Sequence, residues 1–271
     1  MRPRCVAAKA MLLIAVLLLQ ATAAHADDVV VMTSGAFTAA YLELAGGFER
    51  ASKNRLVTAA TTMGTGADSI PRRLARGESV DVVIVAADAL DALIKEGLVV
   101  AGSRVDLARS SIGMAVRAGA RKPDITSVDG LRRALLDAKS VAFSASVSGD
   151  YLVGELFPRL GIADQLTGKS QRIERERVGE VVARGDAEIG FQQISELSPI
   201  EGIDIVGPLP PEVQRVTVFS AGIATGSQHV TAARALVMFL ASPAASGTVV
   251  KSGMEPVTAE HAGRPSSAPG Q

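Results

Sequence analysis

The chain has 271 residues, with 28 basic and 28 acidic side chains, one cysteine and no tryptophan. Because no basic stripe or tail interrupts this balance, the charge argues against a surface for nucleic acid or anionic lipid. Aromatic residues make up only 3% of the chain, which argues against a sugar-binding cleft that relies on aromatic stacking.

The N-terminus has the pattern of a secretory signal peptide. Arg2, Arg4 and Lys9 come first, an unbroken apolar run covers residues 11–19, and Ala-His-Ala at 24–26 supplies the small residues needed for cleavage. The apolar run is well short of the roughly 20 residues that cross a bilayer, which argues against a membrane anchor. The sequence therefore predicts a cleavable segment at 1–26 and a periplasmic protein.

The exported chain would contain no cysteine and would carry a net charge of −3, because cleavage removes three basic residues and no acidic one. Without disulfides it must be held together by its core, and a chain of about 245 residues can form a large one. His229 and His261 would be its two histidines, too few for a histidine-rich metal site. We expect no metal and no cofactor.

In the first half of the exported chain, apolar runs alternate with helical patterns. The runs predict buried strands at residues 29–32, 56–60 and 80–85. Apolar residues at helical spacing predict helices at 37–51, 69–76 and 87–96. This alternation is typical of a parallel sheet covered by helices.

The second half continues the alternation. Apolar runs predict strands at 112–116, 140–143, 189–193 and 216–224, and residues 173–176 read as extended. Helical patterns cover 128–136, 151–160, 178–184 and 232–240. The composition of residues 259–271, rich in Pro, Ser, Gly and Ala, predicts a disordered tail. The fold class is therefore α/β.

Five stretches carry more specific patterns. Residues 30–40 read as a strand that opens a helix. Residues 72–84 combine a helix, a glycine, an acidic residue and a strand, and residues 112–117 read as a strand that crosses between two halves of the chain. Residues 185–191 contain a glycine-x-alanine-x-x-glycine step, and 239–245 a terminal helix with its turn. In this order the stretches resemble the molybdate-binding proteins of bacterial ABC transporters.

The resemblance implies a type II periplasmic binding protein, with two α/β lobes joined by two crossing hinge strands. Lobe 1 would contain residues 27–112 and 219–258, and lobe 2 residues 113–218. A ligand would lie in the cleft between the lobes, near the carboxyl ends of the strands.

The first loop expected at this cleft is formed by Thr33, Ser34, Gly35 and Ala36, which open a helix. A helix N-terminus presents unpaired N–H groups and a partial positive charge, both of which favour an anion. The two hydroxyls would add donors. Ordinary capping of the helix is the alternative.

Two further loops have the same character. Thr65 and Gly66 belong to a threonine- and glycine-rich loop that suits close approach of the backbone to a ligand. Ser146 and Ser148 belong to a serine-rich loop ahead of the helix expected at Tyr151. A flexible turn and a helix cap are the respective alternatives.

Arg175 and Gln193 complete the predicted site. An arginine can bind a carboxylate through two parallel hydrogen bonds, and an amide that ends a strand can bind ligand oxygens. Alternatively, Arg175 and Arg177 lie on a solvated face and pair with their neighbouring glutamates, and Gln193 merely ends its strand.

The resemblance also implies differences in specificity. Two ligand-binding serines of the family align with Ala36 and near Ala67. A small apolar residue of the family aligns near Arg175, and a tyrosine of the family aligns with Gln193. Neutral hydroxyls and N–H groups hold a compact tetrahedral dianion, whereas an arginine and an amide suit a larger anion with a carboxylate. The predicted ligand is therefore either molybdate or tungstate, or a small organic acid.

We expect a monomeric solute-binding protein that delivers an anion to an ABC permease of the inner membrane and is not an enzyme. An exported enzyme stays an alternative, although His229 has no motif around it and no glycine-x-serine-x-glycine elbow occurs. A periplasmic sensor subunit that uses the same cleft is a second alternative. A DNA-binding regulator is ruled out, because the signal peptide occupies the place of its DNA-binding domain.

Overall fold

The computed structural model describes residues 27–33, 35–59, 61 and 66–257. The predicted signal peptide and the predicted tail lie outside the described residues. The strands are β1 (Asp28–Thr33), β2 (Arg55–Ala59), β3 (Val82–Ala86), β4 (Val105–Arg117), β5 (Val141–Ser144), β6 (Ser170–Ile173), β7 (Ile189–Gln193), β8 (Ile203–Pro208), β9 (Val216–Ile223) and β10 (Glu255–Pro256).

The helices alternate with these strands. They are α1 (Gly35–Ser52), α2 (Ile70–Ala75), α3 (Ala87–Lys95), α4 (Val128–Asp137), α5 (Val147–Tyr151), α6 (Phe157–Arg159), α7 (Ala163–Thr167), α8 (Val178–Arg184), α9 (Ile194–Leu197), α10 (Val230–Leu240) and α11 (Pro243–Lys251). A π-helical turn, Leu152–Leu156, joins α5 to α6, and Pro211–Val213 forms a 3₁₀ turn.

The strands form one curled sheet in the order β2-β1-β3-β9-β4-β7-β5-β6, with β8 and β10 also paired to β4. β4 pairs with β9 from Val105 to Ser111 and with β7 from Ile112 to Val116. The sheet therefore changes partners in the middle of β4, and this strand and β9 connect two α/β lobes. Lobe 1 contains β1 to β3, and lobe 2 contains β5 to β8. The exact lobe limits given above stay predictions.

Lobe 1 is packed on both faces of its sheet. Val82 and Ile84 of β3 face a core built with Phe37 of α1, whereas Val83 and Val85 face a second core on the other side. Such burial on both faces is the reason that the strand reads as a continuous apolar run.

Lobe 2 follows the same plan. Its larger core contains Phe143 of β5, Phe157 of α6 and Phe191 of β7, and the first two rings meet edge to face at 6.3 Å. Val178 and Val182 of α8 cover the opposite face. Among the described residues, no single helix has the length and composition of a membrane span. The pair α10 and α11, bent by 62°, passes that test together by length and composition only.

Short elements escaped the sequence patterns, because few residues leave no measurable period. The missed short elements are α7, α9, β8 and β10. The nine-residue helix α11 was also missed, because the sequence predicted only a turn after α10; Pro243 lies in the first turn of α11, where a missing N–H costs nothing.

The helix predicted at 151–160 begins earlier, at Val147. Gly149 hides this start, since glycine is a poor helix former. A Cβ at position 149 would lie 1.8 Å from the carbonyl oxygen of Ser144, so the close packing of α5 on β5 requires glycine there.

Candidate functional site

The predicted site residues follow the carboxyl ends of parallel strands. In lobe 2, β5 is parallel to β6 and β7, so Ser144, Ile173 and Gln193 end on one edge of the sheet. In lobe 1, β1 is parallel to β3, and Thr33 and Ala86 end on one edge. Ligands of open α/β sheets bind outside such edges.

The first loop lies where the sequence predicted. Thr33 is buried, its carbonyl accepts a hydrogen bond from Thr61 Oγ1 at 2.9 Å, and its hydroxyl bonds to Thr38 Oγ1 at 3.4 Å. Ser34 lies outside the described residues. The Ala36 methyl group packs in the core of lobe 1, so Ala36 has only its backbone to offer a ligand.

Gly35, the first residue of α1, contacts a carboxyl group from the other lobe. A Cβ at this position would lie 1.9 Å from Oε1 of Glu196 and 2.9 Å from its Cδ. Glu196 belongs to the four-residue helix α9, directly after β7. Glycine at 35 therefore leaves the space that a lobe 2 carboxyl group occupies at the N-terminus of the 18-residue helix α1.

The sequence analysis missed Glu196. The residue is 5% exposed, and burial raises the pKa of its carboxyl group to about 7. The Gln192 side chain and the Arg177 charge act in the opposite direction, but they do not offset the burial. An acidic residue just beyond the carboxyl end of a buried strand was the signal that could have identified it.

The two glutamines that end β7 have different roles. In either orientation of its amide, Gln193 bonds to Thr217 Oγ1 of β9 at 3.0 Å. The orientation that satisfies both amide atoms also lets Nε2 donate to Ser110 Oγ of β4 at 2.9 Å. The Gln193 amide, predicted to bind ligand, is thus bonded to the two crossing strands instead.

The Gln192 side chain has a different partner, in α8 rather than in a crossing strand. Its Oε1 accepts a hydrogen bond from the Val178 N–H at 2.9 Å. Its Nε2 is buried and has no partner in the described part of the chain. This amide also favours the ionised form of the Glu196 carboxyl group.

The serine-rich loop forms a hydroxyl cluster. Ser144 Oγ lies 2.7 Å from Ser146 Oγ and 3.0 Å from Ser148 Oγ, and the last two are 3.2 Å apart. Ser146 precedes α5 without capping it, and Ser148 lies in the first turn, so the capping alternative for Ser148 is wrong. Each hydroxyl has one hydrogen, so an anion can be bound when one of them turns outward.

Arg175 is exposed in the bend between β6 and α8. Its neighbour Glu176 pairs with Arg184 at 2.7 Å. No ion pair is found for Arg175 or Arg177 within the described ranges. Glu176 therefore does not neutralise either arginine, as the alternative required.

The second predicted loop is only partly described. Thr65 lies outside the described residues, and Gly66 is exposed, with no atom within 4 Å of a Cβ placed there. Ser69, read above as part of a helix, is buried, makes no capping bond, and its hydroxyl has no partner among the described side chains. It is a second polar group that the sequence analysis missed. Across the described ranges, no three His, Cys, Asp or Glu residues group as metal ligands would.

Comparison with known proteins gives two relatives of different kinds. The chain is 46% identical over 231 residues to a Pseudomonas protein named aconitate isomerase, a match that covers 85% of this chain and 88% of the relative. It is 27% identical over 243 residues to the molybdate-binding protein ModA of Azotobacter vinelandii, a match that covers 85% of this chain and 91% of that protein. The first relative is named as an enzyme, which overturns our prediction that the chain is not one.

A solved structure confirms the predicted fold. The periplasmic molybdate-binding protein of Azotobacter vinelandii superposes with a TM-score of 0.68 at 20% identity, over 84% of this chain and 98% of that one. The two-lobed, type II periplasmic binding-protein architecture is therefore correct. A family model described as bacterial extracellular solute-binding protein matches residues 29–255. Such membership implies a location in the periplasm or outside the cell. The chain belongs to the bacterial extracellular solute-binding protein family.

Proposed function

We propose that this protein isomerises aconitate, a small tricarboxylate, in the cleft between its lobes. The observation that carries the proposal is the 46% identity, over 85% of the chain, to a protein named aconitate isomerase. The predicted ligand class narrows accordingly, from an oxyanion or an organic acid to an organic acid.

The chemistry of aconitate defines what the cleft has to supply. The molecule carries three carboxylates on a three-carbon unit with one double bond, and a methylene group lies next to that bond. Removing a methylene proton and adding one at the far carbon of the allylic unit moves the double bond by one position. The site therefore needs donors for several carboxylates and one group that accepts and returns a proton, without an oxidant.

Several donors support the binding part of this proposal. The N-terminus of α1 favours a carboxylate, as helix N-termini do. The hydroxyls of Ser144, Ser146 and Ser148 are adaptable donors at the edge of lobe 2. Arg175, exposed and without an ion pair in the described part of the chain, is suited to bind a carboxylate through its planar fork.

A second candidate is transport. Family members bind a small ligand and deliver it to an ABC permease, and the relative from Azotobacter vinelandii is named as a molybdate-binding protein. In this candidate, the same cleft would hold an organic acid without changing it, and the closed form would dock on the permease.

Proton NMR of the purified protein with trans-aconitate or cis-aconitate distinguishes the candidates. We expect each isomer to be converted to the same equilibrium mixture, and the heat-denatured protein to leave both unchanged. Thermal unfolding with aconitate, molybdate and tungstate tests binding separately, since a ligand at a hundred times its dissociation constant stabilises by about 2.7 kcal/mol. Stabilisation by aconitate without conversion would favour transport, and stabilisation by molybdate alone would contradict both organic-acid proposals.

A further inference from the structure

We propose that Glu196 is the catalytic residue that removes and returns the proton during isomerisation. The inference rests on the proposed function and on one contact between the lobes. A buried carboxyl group of lobe 2 reaches the N-terminal residue of α1 in lobe 1, and Gly35 leaves room for it.

The position of Glu196 places its carboxyl group against one predicted anion-binding region and on the sheet edge where the other lies. α9 follows β7, whose carboxyl end lies on the same sheet edge as Ser144. The carboxyl oxygen lies against the first residue of α1, where helix N–H groups favour a bound anion. A substrate carboxylate bound at either place would hold its carbon chain near Glu196.

Several other groups that could move a proton already have partners. Asp150 pairs with Arg172 at 2.8 Å, and Glu176 pairs with Arg184. The Tyr151 hydroxyl donates to the Val213 carbonyl at 2.7 Å. In lobe 1, His229 contacts Asp81, which comes just before β3 and thus lies at the opposite end of that strand from Ala86. Of these candidates, Glu196 alone combines burial with a place between the lobes.

The electrostatic environment of Glu196 suits a group that both takes and gives a proton. Burial brings the pKa of its carboxyl group to about 7, so both protonation states are populated near neutral pH. Arg177 and the Gln192 amide favour the ionised state, which prevents a still larger shift. Gln192 Nε2 makes no hydrogen bond of ordinary geometry in the described part of the chain, so the amide stabilises the Glu196 carboxylate only weakly.

The reaction can then be written with one group. The Glu196 carboxylate removes a proton from the methylene carbon, the C–H bond breaks, and its electron pair spreads over the allylic carbons and the flanking carboxylates. Glu196 is now a neutral acid. It transfers the proton to the far allylic carbon, a C–H bond forms there, the double bond settles one position along, and the carboxylate is regenerated. No other reactant is required.

Replacing Glu196 by glutamine tests the assignment, because Glu196→Gln keeps the volume and the polarity but cannot exchange a proton. We expect turnover of trans-aconitate to fall by about 10²- to 10⁴-fold, the usual contribution of general acid–base catalysis. We expect the stabilisation by aconitate in thermal unfolding to persist. Glu201→Gln, an exposed change in the loop after α9, is the matched control and should leave turnover unchanged.

Two results would overturn the assignment. Turnover of Glu196→Gln within threefold of the unmodified protein would show that another group moves the proton. Loss of both folding and aconitate binding in Glu196→Gln, together with full turnover in Glu196→Asp, would show a structural role. Absence of turnover in the unmodified protein would instead reject the proposed function itself. Partial turnover in Glu196→Asp, with its pH dependence shifted, would support the assignment.

Discussion

The hinge and the cleft differ in how completely their buried polar groups are paired. At the hinge, the Gln214 amide bonds to both the N–H and the carbonyl of Ile112, each at 3.0 Å, and the Gln193 amide bonds to β9 and β4. Every amide atom of these two side chains has a partner. A fully satisfied network of this kind fixes the crossing of two strands.

The edge after β7 has the opposite character. Gln192 Nε2 is buried without a hydrogen-bond partner in the described part of the chain, and burial raises the pKa of Glu196 to about 7. Unpaired buried polar atoms cost roughly 1–3 kcal/mol each, and folded proteins contain few of them. Two glutamines adjacent in sequence therefore differ: the Gln193 amide is paired with both hinge strands, whereas the Gln192 amide keeps an unpaired donor in the described part of the chain.

The largest expected effect is a pH dependence of stability due to Glu196. Its pKa rises from the ordinary 4.5 to about 7 on folding, so between these values the folded state holds a proton that the unfolded state has lost. Stability from this group is therefore greatest below pH 4.5 and falls by about 3 kcal/mol as pH rises to 7. Urea unfolding at several pH values should show this fall, and Glu196→Gln should abolish it.

Other carboxyl groups do not obscure this measurement. Burial acts to raise the pKa values of Asp81 and Asp106, but their hydrogen bonds together outweigh it and hold both values below the ordinary 3.8, so their contributions to stability are lost as pH falls below that value. That loss occurs at a lower pH than the range from 4.5 to 7 in which Glu196 changes the stability. Parallel pH profiles for the unmodified protein and Glu196→Gln would mean that Glu196 is solvated in solution.

The second prediction concerns the contact between the lobes. Gly35→Ala places a methyl group where the Glu196 carboxyl group lies, so we expect it to destabilise by about 2 kcal/mol, as overpacking usually does. In a Glu196→Ala background the same change should cost little, which urea unfolding of the four proteins would measure as a coupling energy.

Gly47→Ala is the matched control for Gly35→Ala. A Cβ at Gly47 lies at an ordinary 3.6 Å from the Phe239 ring, so alanine should be neutral or slightly stabilising within α1. Equal costs of Gly35→Ala with and without Glu196 would contradict the contact.

The sequence predicted the large elements well for a physical reason. β3 is buried on both faces and reads as an unbroken apolar run, and α10 has enough turns to show a helical period. α9 has four residues and no period, so the helix that carries Glu196 could not be seen. Its position depends on the contact with Gly35, more than 160 residues away along the chain.

The site was predicted less completely than the fold. The hydroxyls of Ser146 and Ser148 do cluster, because loop and helix start are local features of the sequence. Gln193 and Gln192 could not be told apart, since the end of a strand does not reveal which side chain faces a crossing strand. Their difference appears only when β4 and β9 are placed beside β7.

The third prediction sharpens the comparison of the two glutamines. Gln193→Leu removes hydrogen bonds to both crossing strands and should cost about 1.5 kcal/mol of unfolding free energy, because the buried Ser110 and half-buried Thr217 hydroxyls lose a partner. Gln165→Leu, an exposed change in α7, should be nearly neutral. Unchanged stability of Gln193→Leu together with loss of aconitate binding would restore Gln193 as a ligand residue.

The smallest expected effect is that of Arg175→Ala, and it should appear in binding rather than in folding. Since Arg175 is exposed and has no ion pair in the described ranges, its loss should leave the unfolding free energy unchanged within about 0.5 kcal/mol. If its guanidinium binds a substrate carboxylate, aconitate affinity by calorimetry should fall about tenfold, or about 1.4 kcal/mol. Arg184→Ala is the control, because Arg184 is already paired with Glu176 and Asp186. A tenfold loss in Arg184→Ala as well would indicate a general effect of charge, whereas a loss confined to Arg175→Ala would place this residue with the cleft.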